Sequence, residues 1–350
     1  MLARPAFSGL PAGNSFGDQY MTKILLLGLG RWGANHVRVL KSLPIELFVS
    51  DVQPKQFDIA RKVGVADDHL TANYKDFADR VDGVVIVTPA QTHFPLAQEF
   101  LQAGKDVFVE KPITLASSEA RQLAELADRH QRILQVGHIL RFDTASTWLH
   151  DHIKAGKFGR VQILRSNFSG FKRPRNDSGI MFADAIHFVD LFNYFLGCCP
   201  KHITAMTQDF MGRGALMEDA SMLSLEYQTP RGTAWGIVET NYFLPGKYRE
   251  LTITGSEMSA LCDFNVSQYK IRTFANRHVK HGNDFKAEEG MAHQIECAPV
   301  EPLFAELAAF TKSIETREKP LADGWSGYDS VRVLEAALES VKTRKTVTLA

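Results

Sequence analysis

The chain has 350 residues, room for two domains, since single cores stop growing at about 250–300 residues. Forty basic residues balance forty acidic ones, and 45% hydrophobic with 23% charged is an ordinary globular mixture. That neutrality gives no support for a general nucleic-acid or membrane-surface role, and no apolar run reaches membrane-spanning length.

The first 20 residues, "MLARPAFSGLPAGNSFGDQY", are rich in Gly, Pro and Ser. They lack the basic start and apolar core of a secretory signal, so they are expected to form a loose extension, with Met21 as an alternative start. From Lys23, short apolar runs alternate with helical segments. The strands are "KILLLG", "IELFVSD", "GVVIVTP", "DVFVEKP" and "RILQVGH". The helices between them are "GANHVRVLKSL", "KQFDIARKVG", "HFPLAQEFLQAG" and "SEARQLAELADRH". Strands too apolar to face water, each followed by a helix, predict a parallel sheet covered on both faces.

After about residue 158 the texture changes. A strand, "RVQILRSNF", and a helix, "ADAIHFVDLFNYFLG", precede alternating segments: "HITAMTQDF", "SMLSLEY", "TAWGIVETNYF", "RELTITG" and "YKIRTF". Period-two alternation predicts a mostly antiparallel, open sheet with one wet or partner-covered face. Two helices, "PLFAELAAFTKSIET" and "DSVRVLEAALESVKT", and a strand, "KTVTL", close the chain. The expected fold class is α/β. A doubly wound dinucleotide-binding domain spans 21–142, and an α+β domain for substrate and oligomer contacts spans 143–350. The closing helix and strand are candidates to pack back on the first domain. Cys198, Cys199, Cys262 and Cys297 form no CxxC and no zinc spacing, so we expect idle thiols in a reducing cytosol and no metal.

"GLGRWG" sets Gly28, Gly30 and Gly33 between the first strand and its helix. Gly28 permits the tight turn, Gly30 lets backbone approach a pyrophosphate, and Gly33 lets helix and strand pack closely. The helix N-terminus then offers free N–H groups to phosphate. Arg31 and Trp32 lie inside this loop, where Trp32 is placed to shield a cofactor. Asp51 ends the second strand 18 residues after Gly33, near the spacing of an acid that accepts ribose hydroxyls. Val52, Gln53 and Pro54 follow it, with no Arg to balance a 2′-phosphate, so NAD is expected over NADP.

"VIVTPAQTH" places Thr88, Pro89 and His93 at a strand's C-terminal end, where open α/β sheets bind ligands. "VFVEKPITL" places Glu110, Lys111 and Pro112 at the end of the next strand. In "ADAIHFVDLFNYFLG", Asp184, His187, Asp190 and Tyr194 share one stripe of the helix.

Together with "GHILRF" (His138 to Phe142), these segments resemble the Gfo/Idh/MocA family of oxidoreductases over nearly the whole chain from Lys23. The resemblance implies that Lys111 sits beside the reacting carbon and the nicotinamide, that Glu110 lies on the nicotinamide ribose and that Pro112 is cis. It implies His187 as proton acceptor, His138 near the cofactor and Arg141 near the substrate. These types suit alcohol oxidation: an imidazole can take the hydroxyl proton near neutral pH, and a lysine cation can stabilise the developing alkoxide. One position departs from the pattern. Many members carry an Asp four residues before the His; here Ala183 stands there, and Asp184 is the candidate replacement. Asp190, a turn beyond His187, is expected to be structural.

"GFKRPRNDSG" carries Lys172, Arg173 and Arg175 just before the helix. We expect these three to clamp an anionic substrate, since Arg forks bind phosphate well. Tyr242 and Arg249, on the second-domain sheet, are placed to reach a substrate or a subunit partner. Within the family, "GFKRPR" and "DAIHFVDLFNYFLG" look most like the UDP-N-acetylglucosamine 3-dehydrogenase branch. The expectation is a cytoplasmic NAD-dependent dehydrogenase of a nucleotide-linked sugar. It acts as a homodimer or homotetramer through the C-terminal sheet, with no nucleic-acid or membrane partner. The alternatives are an inositol or free-monosaccharide dehydrogenase, a glycosidase that uses NAD transiently, and an NAD-binding regulator without turnover.

Overall fold

The computed structural model describes residues 21–349, so the extension expected over 1–20 lies outside the described residues. The five apolar runs of the first half form the parallel strands β1 (Lys23–Leu27), β2 (Glu46–Ser50), β4 (Gly83–Ile86), β5 (Asp106–Val109) and β6 (Leu134–Val136), and a sixth that sequence reading missed, β3 (Leu70–Thr71), pairs parallel with β2. Their order is β3-β2-β1-β4-β5-β6. The order reverses between β1 and β4, and ligands of such sheets bind outside the strand C-termini at that crevice. Helices α1 (Gly33–Ser42), α2 (Phe57–Lys62), α3 (Lys75–Ala78), α4 (His93–Gln102) and α5 (Ser117–His130) connect the strands. Every residue of β4 and β5 is buried, as helices on both faces require.

Helix α6 (Thr144–Lys154) leads into the second domain, and sequence reading missed it. Its start is marked by Asp143, whose side chain accepts from the Ala145 N–H at 2.9 Å. Then follow β7 (Val161–Asn167), α7 (Ile186–Leu196), β8 (His202–Gln208), β9 (Ala220–Thr229), β10 (Gly232–Asn241), β11 (Glu250–Gly255), β12 (Ser259–Asp263) and β13 (Ile271–Phe274). A hairpin of β14 (Arg277–His281) and β15 (Asp284–Glu288) precedes β16 (Ala292–Ile295). Helices α8 (Pro302–Thr316) and α9 (Gly324–Thr343) and strand β17 (Val347–Thr348) close the chain. The large sheet runs β16-β13-β12-β11-β7-β10-β9-β8-β17. Only the β7–β10 pairing in it is parallel, so it is mostly antiparallel as expected.

Two corrections concern the ends of elements. The polar-striped segment is not one regular helix: Met181–Ala185 form a π-helical turn, and α7 starts at Ile186. Strand β17 does not return to the first domain; Val347 pairs with Ile203 at the edge of the second sheet. Helix α9 does return. Its Gly324 and Gly327 lie so close to Leu134 and Val136 that a Cβ would meet those side chains at 2.6 and 2.8 Å. Helix α8 also belongs to the first domain by packing. Leu303, Leu307 and Phe310 share a core with Ile24, Leu26, Val37, Val85 and Phe108. The core on the other face of the first sheet runs on through α9 (Val331, Leu334, Ala337) to Leu223 and Tyr227 of the second.

Candidate active site

The glycine loop crosses from β1 to α1. Gly28 holds φ +97°, and a Cβ there would stand 2.7 Å from the Val87 carbonyl oxygen. A Cβ on Gly33 would stand 2.1 Å from the Gly28 carbonyl. Both positions therefore exclude side chains for reasons internal to the fold. Gly30 is different: nothing lies within 4 Å of its would-be Cβ, so the backbone there is open to a ligand. The Asp51 carboxylate accepts the Leu29 N–H at 2.7 Å and the Gln53 N–H at 2.8 Å, which fixes an acid beside the loop. These residues fit a dinucleotide.

Trp32 is 41% exposed, yet its Nε1–H donates to Glu110 Oε1 at 2.6 Å. His36 Nε2 lies 3.1 Å from the same oxygen, and the Lys111 N–H donates to Oε2 at 3.1 Å. Burial alone would raise the Glu110 pKa, but His36, Trp32 and Lys111 together hold it below the ordinary range. Glu110 thus stays ionised and ties the glycine loop to the end of β5. Sequence reading passed over His36. Its only signal was an imidazole one turn after Trp32, beside the glycine loop.

Lys111 precedes a cis peptide to Pro112, as the resemblance implied. Its Nζ donates to the Ala183 carbonyl oxygen of the π-helical turn. Burial, then the neighbouring Arg175 charge, pushes its pKa down to about 8, against the opposing pull of Asp184 and Glu110. His187, on the first turn of α7, packs its ring 5.1 Å from Phe168, and its buried Nδ1 has no hydrogen-bond partner among the described residues. Burial and then the Lys111 charge push its pKa well below 6.5. The imidazole is neutral and able to accept a proton.

Asp184 pairs with a lysine. Its Oδ2 is 2.7 Å from Lys172 Nζ. Its charge also acts on Lys111, Arg249 and Tyr242. Lys172 sits over the rings of Phe168 and Tyr242, at 5.1 and 5.5 Å, and Arg249 stacks on Phe168 at 3.4 Å. Tyr242 is buried.

Several expected ligand contacts face inward instead. Arg141 is buried, donating from Nε and Nη2 to Asp190 at 2.9 and 2.7 Å and from Nη1 to the Leu321 carbonyl at 2.7 Å. Its guanidinium also lies over the Tyr194 ring at 4.9 Å. The polar stripe is therefore an inward face that docks the second domain on "GHILRF", and Arg141 is a structural clamp. His138 is buried with its Nε2 3.5 Å from Asp190 Oδ1, and burial lowers its pKa to about 4. His93 is buried too. Its Nδ1 and Nε2 lie 2.7 and 2.9 Å from the carbonyl oxygens of Pro112 and Thr88, so it joins the two strand-end loops. Arg141 thus finds its partners within the chain, as a buried polar group should, whereas neither ring nitrogen of His138 has a hydrogen-bond partner among the described residues.

The remaining expected residues stay at the open edge. Pro89 is exposed, and Thr88 Oγ1 lies 2.6 Å from Thr92 Oγ1. Arg31 and Arg173 are exposed. Arg175 pairs with Asp177 at 2.5 Å, and the Asp177 carbonyl accepts from Gln91 Nε2 at 2.8 Å, which fastens the basic loop across to the first domain. All four cysteines are free, and among the described residues no cluster of His, Cys, Asp or Glu could hold a metal.

A nucleotide cradle at a sheet crevice, with a lysine and a neutral histidine converging beside it, defines a nicotinamide-dependent oxidoreductase. Family models agree: residues 22–138 match the "oxidoreductase family, NAD-binding Rossmann fold" and 150–349 its "C-terminal alpha/beta domain". The chain belongs to the Gfo/Idh/MocA oxidoreductase family. Inositol 2-dehydrogenase 2 of Saccharopolyspora erythraea is 27% identical over 92% of this chain and 93% of its own. UDP-N-acetylglucosamine 3-dehydrogenase of Acidithiobacillus ferrooxidans is 28% identical over 74% of this chain and 77% of its own. A levoglucosan dehydrogenase solved with NADH shares the fold at TM-score 0.80 and 18% identity, covering 95% of this chain and all of that one.

Proposed function

We propose that this dehydrogenase oxidises the 3-hydroxyl of UDP-N-acetylglucosamine to a keto sugar, with NAD as cofactor. One observation carries the nucleotide-sugar reading: the site is rich in cations. Lys111, Lys172 and Arg249 bear on the His187 imidazole, and Arg175 bears on Lys111, while Asp184 is the acid placed among them. An anionic substrate balances that charge, with exposed Arg173 available at the rim.

NAD, when bound, supplies the hydride acceptor. The chain does the rest. His187 takes the hydroxyl proton, the Lys111 ammonium stabilises the alkoxide, and Gly30 with the α1 N-terminus receives the pyrophosphate. The Asp51 carboxylate, with no arginine beside it in the sequence, favours NAD over NADP.

A second reading, a neutral cyclitol such as inositol, is favoured by a specific feature. Lys172 and Arg175 already have carboxylate partners at 2.7 and 2.5 Å. Relatives named as inositol dehydrogenases favour it as well. The test is NADH absorbance with purified protein offered UDP-N-acetylglucosamine, its uronic acid and myo-inositol separately. Turnover with inositol alone overturns the nucleotide-sugar reading. NAD binding without turnover on any of them favours the regulator.

We also propose a cytoplasmic homo-oligomer. Its support is the outer face of the large sheet, where Ile163, Met206, Met222, Trp235 and Leu261 are exposed on five neighbouring or near-neighbouring strands. Among the described residues no helix is long and apolar enough to cross a membrane.

A further inference from the structure

Two ammonium groups are anchored one residue apart on the π-helical turn. Lys111 Nζ donates to the Ala183 carbonyl, and Lys172 Nζ stands 2.7 Å from the Asp184 carboxylate. We propose that Lys172 is a positioning residue for catalysis and not a substrate ligand: it pins Asp184 as the counter-ion shared with Lys111. This deepens the reading of Lys111 as the alkoxide-stabilising cation and rests on it.

The geometry favours this role over a clamp. Asp184 is only 6% exposed, so a bound phosphate would have to pull Lys172 off a buried carboxylate and leave that charge unpaired. The Lys172 ammonium is also seated over two rings, Phe168 and Tyr242, which orient it inward. Lys172 lies on the loop between β7 and the π-helical turn, so the loop's path sets where Asp184 points. With Ala183 at the position where an acid is usual, the side chain there offers Lys111 nothing. The lysine takes the backbone oxygen, and the next residue supplies the charge.

Lys172 also acts on Lys111 directly, because like charges disfavour each other. Its cation lowers the Lys111 pKa, as Arg175 does, while Asp184 and Glu110 raise it. His187, His138, Asp177, Arg249, Tyr242 and Arg213 are the other titratable and charged groups around the pair.

The test uses the full chain with Lys172→Met, Lys172→Arg and Asp184→Asn. Lys111 titration is followed without turnover, by the pH dependence of its labelling with an amine-reactive reagent and mass spectrometry. Lys172→Met should move the Lys111 midpoint to lower pH, because the Asp184 charge it releases acts on Lys111 more strongly than the Lys172 cation it removes, and should lower kcat roughly 10- to 100-fold by misplacing Asp184, with KM little changed. Lys172→Arg should restore both. Lys172→Gln gives the same comparison if the Met variant fails to fold. An unmoved or raised midpoint, or a raised KM at constant kcat, overturns the proposal. If Lys111→Ala retains turnover, the reading of Lys111 fails instead, while the labelling shift still reports on Lys172.

Discussion

The Lys111 ammonium donates to the Ala183 carbonyl oxygen, joining the end of β5 in the first domain to the entry of α7 in the second. The same π-helical turn carries Asp184, and His187 follows on the first turn of α7. The groups proposed for alkoxide stabilisation and proton transfer are thereby held in one register across the domain boundary.

Replacing Lys111 with Ala should lower kcat by about 10²–10³-fold, the usual loss of one preorganised charge, and leave NAD affinity intact by fluorescence titration. The wild-type rate should be flat through mildly acidic pH, because His187 is neutral there. It should fall as pH rises past about 8, where Lys111 loses its proton. A kcat/KM profile with no basic limb near that pH removes Lys111 from the role.

Arg141→Met should destabilise rather than disarm. Removing one partner of a buried ion pair costs about 3–5 kcal/mol, and Asp190 would be left 1% exposed with its main cation gone. Urea unfolding measures this. A variant of unchanged stability with weakened substrate binding would return Arg141 to the substrate site.

The glycine loop separates fold from ligand. Gly28→Ala should cost about 1–3 kcal/mol, from a left-handed backbone and a blocked Cβ. Gly30→Val should leave the melting temperature unchanged, since its Cβ meets nothing, and abolish measurable NAD binding. Calorimetric melting and NAD titration of both variants check the pair.

Asp51→Asn should weaken NAD roughly tenfold, the loss of one charged hydrogen bond, and narrow its advantage over NADP. Initial rates with the two cofactors give the ratio. An unchanged preference shows that Asp51 only fastens Leu29 and Gln53.

Trp235→Glu places a charge on the exposed sheet face, opposite Ile163 and Glu226. Light scattering should show a smaller species. An unchanged mass, or a wild-type monomer, rules out this face as the interface.

Much of the fold was legible because β1, β2, β4, β5 and β6 lie in apolar runs separated by helical segments, whereas β3, of two residues, and α3, of four, are too short to show a period. The cofactor loop was legible because glycines at fixed spacing have steric causes, which Gly28 and Gly33 display. What misled was polarity. His93, His138 and Arg141 looked like ligand contacts because they lie beside the right motifs, but all three are buried, and Arg141 is held by Asp190 and Leu321. Lys172 and Asp184 were expected separately, as clamp and catalytic acid. Their pairing depends on a loop path and a π-helical turn that no periodicity announces. The short strands β12, β14, β15 and β16 escaped because their runs are brief and, over 277–288, exposed.

Helix α8 supplies Leu303, Leu307 and Phe310 to the core beside α1 and β1. The nucleotide domain is consequently discontinuous in order of synthesis. When residue 142 leaves the ribosome, one flank of that domain still shows bare apolar surface, and it stays bare until the chain has grown past Phe310. Cofactor cannot serve as an early folding template for an N-terminal fragment, and cutting the gene near residue 142 should give an aggregating product rather than a working NAD-binding module.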